Sequence, residues 1–391
     1  MYTSWSRPTI TGATITGGLA GTYEGVNGSA ANAKNTQNKF GNGLLPNFLS
    51  VSGSTRQNDL DVSFTISLQP GSAQNGALQQ VSSNDGAAAA AEGANGGLNN
   101  RQAFITFGDK SWGSVKVGKD LGIFASDAIL NDITLLGVGG AYAGAAGNTS
   151  LGRIGYGYIY ADWKPQIAYT TPNMNGFQAT VGMAQAFKAT GHTNANDSLV
   201  AADFGTTNAS PAYEGKVSYS FSSNDVTGKI WVSGISQKVG NIVGKGNSDS
   251  VAYAADIGAN IKLAGFDLTG YYYGGTGVGT TGQFLNGYGL SSDATKLEGR
   301  DSDGGYVQAK YTLPTKTIAA LSWGISNLDR AGGEQAHTSL VKENEMWDAM
   351  LIHPLTKHLN LVAEYSHQTA QNHAGRENKA NVGSLGAILF F

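Results

Sequence analysis

Leu60-Asp61-Val62-Ser63-Phe64-Thr65-Ile66-Ser67-Leu68 places an apolar side chain at every even position and a polar one at every odd position. Successive side chains of a β-strand point to opposite faces, so nine residues of unbroken alternation read as a strand with one oily and one wet face. The same period returns at Phe177, Ala179, Val181 and Met183 against Gln178, Thr180 and Gly182. It returns again at Tyr213, Val217, Tyr219 and Phe221 against Glu214, Lys216, Ser218 and Ser220.

Working outward, strand neighbourhoods fall at 9–23, 47–57, 58–69, 101–109, 112–119, 163–171, 176–187, 211–222, 226–238, 251–262, 265–275, 304–313, 317–327, 345–353, 358–367 and 381–391. That is about 16, an even number. Connections alternate between turns of a few residues, as at Gln57-Asn58, Pro172 to Asn175 and Pro354 to Lys357, and long stretches at 24–46, 70–100, 120–162, 188–210, 239–250, 276–303, 328–344 and 368–380. The tract Gly86 to Glu92, with five consecutive Ala, sits inside one of these loops and is not a linker. The 391 residues therefore read as one domain, 1–391.

Composition removes other classes. The chain is 14% charged and 40% hydrophobic, with net charge −3, so it is neither a disordered polyelectrolyte nor a basic nucleic-acid binder. The longest uncharged apolar-leaning stretch, Ile133 to Gly152, is broken by Gly, Thr, Asn and Ser and reads as loop, not as a spanning helix. Absence of Cys excludes disulfide frameworks and thiolate metal sites and suits passage through an oxidising compartment. Met1 to Trp5 carries no basic region followed by an apolar one, which reads as a mature form without its signal peptide, Met1 having been added.

Alternation alone does not separate a soluble sandwich from a membrane barrel. Three features favour the barrel. Aromatics stand near strand ends on the apolar face, at Trp163, Tyr169, Tyr213, Phe221, Tyr272, Tyr311, Trp323, Trp347 and Tyr365, as in an interfacial girdle. The opposite face is polar throughout, with Lys164, Gln166, Lys229, Asp256, Asp267, Gln308, Lys310, Asp348 and Glu364. The chain also ends inside an apolar strand at Leu389-Phe390-Phe391, an aggregation-prone edge unless it closes on the first strand. The expected fold is all-β: a transmembrane antiparallel up-and-down β-barrel of about 16 strands.

These residues resemble a general bacterial porin, the trimeric Gram-negative outer-membrane kind. Arg101-Gln102-Ala103-Phe104-Ile105-Thr106-Phe107-Gly108, followed by Trp112-Gly113-Ser114-Val115-Lys116-Val117-Gly118-Lys119, resembles the hairpin leading into that family's inward-folded third loop. Tyr169 to Phe177 resembles its Tyr-x-x-Pro-x-x-x-Gly-Phe turn, and His353 to His358 with Leu361 to Tyr365 its late turn and following strand. Phe391 matches the family's terminal Phe, which the resemblance makes the assembly signal. The opening strand is richer in Gly and Thr than usual, no Pro-Glu-Phe-Gly-Gly run occurs in the third loop, and position 356 is Thr where the family has Ser. The resemblance implies a homotrimer, latched by the second loop at 70–100, embedded in outer-membrane lipid. It implies passive diffusion of small hydrophilic solutes and ions.

A wide barrel needs a constriction, and segment 120–162 is the candidate. It offers Asp120, Asp127, Asp132 and Arg153 on the loop side, against Lys116 and Lys164 on the wall by parity, with Arg101 and Lys119 beside them. Opposed charges across a narrow water path create a transverse field that orders solutes. Each of these charges has a plainer reading as a solvated loop or wall group. Arg56 and Asp61, beside a short turn, read as rim residues. Ile129, Leu130, Leu135 and Leu136 read as anchors to an inner wall where Ile388 and Phe390 also point by parity.

Other signals are weaker. Gly277-Val278-Gly279-Thr280-Thr281-Gly282 fits a dinucleotide pattern, but no amphipathic helix follows. Six scattered His lack the partners of a metal site, and no nucleophile elbow or P-loop occurs, so neither cofactor nor catalysis is expected. Two rivals stand beside the general channel. One is a solute-selective channel for small organic acids or aromatics, favoured if Tyr156, Tyr158 and Tyr160 line one path; the other is a secreted soluble adhesin or lectin.

Overall fold

The structure is a computed structural model. It describes residues 1–10, 15–20, 37–70, 98–140, 149–187, 189, 210–240, 250–291, 297–332, 334 and 339–391. In chain order its strands are β1 Tyr2–Ile10, β2 Gln37–Gly41, β3 Leu49–Gln57, β4 Leu60–Pro70, β5 Leu98–Asn99, β6 Ala103–Asp109, β7 Gly113–Leu121, β8 Trp163–Thr170, β9 Phe177–Ala184 and β10 Ala212–Ser223. They continue with β11 Val226–Val239, β12 Ser250–Leu263, β13 Phe266–Thr276, β14 Tyr288–Leu290, β15 Leu297–Gly299, β16 Asp301–Thr312, β17 Ile318–Leu328, β18 Val341–Pro354, β19 Leu359–Asn372 and β20 Glu377–Leu389. A short helix, α1 Ser126–Asn131, and a 3-10 turn at Ile133–Leu136 follow β7.

All but β14 and β15 belong to one sheet of 18 strands. Neighbours are antiparallel and follow chain order, and β20 pairs with β1 from Tyr2↔Gly386 to Ile10↔Asn378. β1 in turn pairs with β2, while β3 pairs with β4, so β2 and β3 are two parts of one leg interrupted at 42–48. Counting β2 with β3, and β5 with β6, leaves sixteen legs whose last is bonded to the first. The edge exposed by an apolar terminal strand is thereby removed.

What the two faces carry decides the environment. Val51, Phe64, Ile66, Ile105, Ile167, Val232, Ile257, Leu321 and Leu351 are exposed, whereas Ser67, Gln166, Asp256, Gln308, Ser322, Asp348 and Glu364 are buried. A water-soluble barrel has the opposite arrangement; an apolar exterior around a polar interior is what a bilayer selects. Short turns close one rim by local backbone chemistry. Asn58 and Asp59 both take positive φ, 51° and 59°, as a two-residue hairpin whose twist matches its strands requires. Gly176 (φ 98°) lies where an added Cβ would stand 2.0 Å from the Ser220 carbonyl oxygen, so glycine is required there.

Two details differ from the sequence-based expectation. The first strand is Tyr2–Ile10, not 9–23, and Gln37–Gly41, expected as loop, is paired. In β1 the inward positions are Tyr2, Ser4 and Ser6, and Trp5 is exposed on the outer face, so an inward aromatic spoils the simple oily/wet alternation. The Ala tract and most of the 70–100 latch loop lie outside the described residues.

Candidate functional site: an inward loop against a lysine-bearing wall

The segment after β7 turns into the barrel. Its two ends are tied by the Gly122 N–H, which donates to the Asp162 carbonyl at 2.7 Å. Beyond that neck the loop hangs from wall side chains, chiefly carboxylates that accept its backbone N–H groups. Ile123 and Phe124 donate to Glu214 Oε2 at 2.6 and 2.9 Å, and Ala125 donates to Asp256 Oδ2 at 3.1 Å. Ile133 donates to Gln308 Oε1 at 2.6 Å, and Gln308 Nε2 donates back to the Asn131 carbonyl at 2.8 Å. Val138 and Gly139 donate to the two oxygens of Glu364 at 2.6 and 2.9 Å. Each of these side-chain oxygens satisfies backbone N–H groups that would otherwise be buried without a partner.

Apolar contacts fill the spaces between anchors. Phe124, Ala128 and Ile129 share one buried cluster with Trp231, Tyr271, Tyr273 and Tyr306, and Ile133 and Val138 share another with Tyr2, Met350, Ile352 and Val362. Each large side chain buried this way contributes about 1.5–3 kcal/mol. Of the expected anchors, Ile129 is buried and Leu135, Leu136 and Ile388 are packed, while Leu130 and Phe390 are exposed.

Charges gather in recurring units. Asp127, on α1, is bonded to the ammonium groups of Lys216 (2.7 Å) and Lys229. Burial alone would raise its pKa, but the two ammonium groups hold it below the ordinary carboxylate range. Nearer the short-turn rim, Asp267 lies 2.9 Å from Lys310 and 3.8 Å from Lys262. These four lysines stand on β10, β11, β12 and β16, each still partly exposed. Farther round, a polar cavity of about 650 Å³ is lined by Ser54, Arg56, Ser63, Thr106, Ser114 and Gln178 among others.

The sequence profile of the Gram-negative porin family matches residues 7–373. The chain belongs to the Gram-negative porin family. Among solved structures, this porin is similar to the outer-membrane channel DcaP of Acinetobacter baumannii, with a TM-score of 0.65 and 14% identity over 100% of this chain and 95% of that one. It is similar to an anion-selective porin from Comamonas acidovorans, with a TM-score of 0.57 and 14% identity over 100% and 99%. The third is Salmonella typhi OmpF, with a TM-score of 0.54 and 14% identity over 100% and 96%. No curated protein matches the sequence. The chain is an outer-membrane channel for passive solute diffusion, and nothing remains to support the soluble adhesin reading.

Within this porin the eight charges singled out from sequence go to five different places. Asp127 faces Lys216 and Lys229, and Lys116 pairs with Asp120 on the wall; Asp120 is the penultimate residue of β7 rather than part of the loop. Asp132 and Arg153 have side-chain exposures of 0%, 3.8 Å apart, with Tyr158 OH donating to Asp132 at 2.9 Å. They tie the loop to itself. Lys164 is bonded to Glu214 beneath the loop. Lys119 has the parity of Ile105 and Val117, the outer face, and not that of Lys116, and Arg101, ahead of β6, lies with its guanidinium 5.8 Å from the centre of the Trp163 ring. Tyr156 and Tyr158 are fully buried, so they form no solute-lining path. Lys216, Lys229, Lys262, Asp267 and Lys310 are outside those eight constriction candidates, although period two in their strands marks them as inward. Phe391 lies beyond the end of β20, fully exposed.

Proposed function

We propose that the water path of this porin is narrowed by α1 and Asp127 against Lys216 and Lys229, with Lys116 and Asp120 bordering it, and that it favours small hydrophilic anions, organic acids included. The observation carrying this reading is that Asp127 and Asp267 are each shared by two lysines, which leaves an uncompensated positive charge at two levels of the wall. A cation excess in a water-filled, low-dielectric-walled passage raises the local concentration of anions and repels cations. Reversal potentials across planar bilayers in a KCl gradient test it. Chloride should permeate more readily than potassium, and the joint variant K216Q/K229Q/K262Q/K310Q should lose that preference; a cation-preferring parent channel refutes the reading.

A homotrimer also fits the wall heights. β8 and β9 have 8 residues each, against 14 in β11, β12, β18 and β19. A membrane-crossing strand needs about 9–11 residues, so the low side of the barrel does not by itself cover the hydrocarbon layer and is suited to facing another subunit. Light scattering of the detergent-solubilised protein at about three times the protomer mass is the expected result.

A further inference from the structure

Leu130, which the sequence suggested as an anchor of the inward loop, faces away from the wall instead. Its neighbours on α1, Ser126, Ala128 and Ile129, are buried, whereas Leu130 is 59% exposed. Tyr306 OH donates to the Ala128 carbonyl at 2.7 Å, which ties α1 to the wall. Among the described residues of the inward segment Leu130 is the only large apolar side chain left so open. On the outer wall an exposed leucine is covered by lipid; inside the barrel it meets the water of the passage and forgoes the gain of burial. Its place on the helix is a second observation. Residues three apart share a helix face, so Leu130 stands beside Asp127 and hence beside the two lysines that Asp127 holds. Asn131 steadies the arrangement, its Nδ2 donating to the Asp127 carbonyl at 2.8 Å.

The loop does not use up the two ammonium groups. Lys216 Nζ donates to Ser126 Oγ at 2.9 Å and pairs with Asp127, while Lys229 bonds to Asp127 alone among the described residues. An ammonium has three donors, so Lys229 keeps others for a solute, and its side chain remains 34% exposed. A cation with spare donors next to an uncovered leucine is complementary to an anion that carries an apolar body. The carboxylate oxygens accept from the ammonium while the body covers Leu130. Inorganic anions and hydroxy acids meet only the first half of that match. We propose that Leu130 is a specificity-determining residue of this porin, forming with Lys229 and Lys216 a weak subsite for monocarboxylates that bear an aromatic or branched alkyl group. The inference rests on the anion reading above and names the class of organic acid that the passage prefers.

Single-channel recordings of the purified porin in KCl at neutral pH test this with two added probes of equal charge, benzoate and glycolate. Benzoate should interrupt the current at a lower concentration than glycolate does. L130N should raise the half-blocking concentration of benzoate about fivefold, the worth of covering roughly half a leucine side chain, and leave that of glycolate unchanged. L130M, apolar like the parent residue, should keep the parent's benzoate block. The reversal potential in a KCl gradient should stay at the parent value in both variants, with heat-modifiable migration confirming folded barrels. Equal block by the two probes in the parent, or a benzoate block indifferent to L130N, overturns the proposal while leaving the chloride preference standing. So does a variant that weakens block by both probes alike, or an L130M as impaired as L130N, because Leu130 would then only shape the passage. A parent channel that prefers potassium refutes the anion reading itself, and this inference with it.

Discussion

Asp127 is where loop and wall meet electrostatically. Its carboxylate neutralises parts of both Lys216 and Lys229. Asp127→Asn removes one negative charge from α1 and leaves both ammonium groups in place. The expected result is an anion-to-cation permeability ratio raised by about two- to threefold, read from reversal potentials. Its pH dependence has a definite sign. A carboxyl held below its ordinary value contributes stability above the unfolded pKa of about 3.9, and that contribution is lost only as pH falls further. Loop anchoring at Asp127 should therefore be flat between neutrality and pH 5 and weaken below pH ~4. A loss of the Asp127-dependent difference already at pH 6 would contradict this. Glu364 acts by a different route, since it accepts two backbone N–H bonds from the loop at 2.6 and 2.9 Å. Glu364→Gln keeps at most one acceptor oxygen and should cost about 1.5–3 kcal/mol. It should show as a lower unfolding temperature and earlier closure under applied voltage.

At the scale of elements, the neck of the inward loop is a matter of backbone clearance. A Cβ on Gly122 would stand 2.3 Å from the Ala161 carbonyl oxygen, so no side chain fits without parting the two ends of the loop. Gly122→Ala should cost about 1–3 kcal/mol and broaden the single-channel current distribution. Gly383→Ala, in β20, meets nothing within 4 Å and should change stability by less than about 0.5 kcal/mol, with sharp current steps retained. The strands themselves were legible because alternation is a local property: Leu60 to Leu68 needs no partner to be recognised. The first strand was not, because Tyr2 faces inward to cover Ile133 and Val138, and an inward aromatic is unintelligible until the loop it covers is known. The loop's anchors were hidden for the same reason. Glu214 and Ile123 are 91 residues apart, and Glu364 and Val138 are 226 apart.

For the whole molecule, closure of the ring and the placing of charge are separate achievements. Closure rests on β20 against β1, and Phe391 stands outside that pairing. Deleting Phe391, exposed past the last ladder bond at the rim, leaves every wall pairing intact. If it serves as the assembly signal that the family resemblance implies, the truncated chain should refold in detergent with a normal unfolding temperature yet reach the outer membrane in much lower yield. A truncated chain that fails to refold would assign Phe391 to stability instead. The sequence by itself determined the barrel, its approximate strand number, its short and long rims and the identity of the inward loop. Strand number and rims follow from a period-two pattern and connection lengths, which the chain carries locally; the barrel also needed the aromatic strand ends, the polar second face and the apolar terminus, and the inward loop its length and the porin resemblance. Only the tertiary structure decided which inward charges meet water and which are buried as struts. Burial and counter-charge depend on what the loop covers once it is inside: Asp132 with Arg153 and Lys164 with Glu214 are shut away, while Lys216 and Lys229 stay partly exposed beside Asp127.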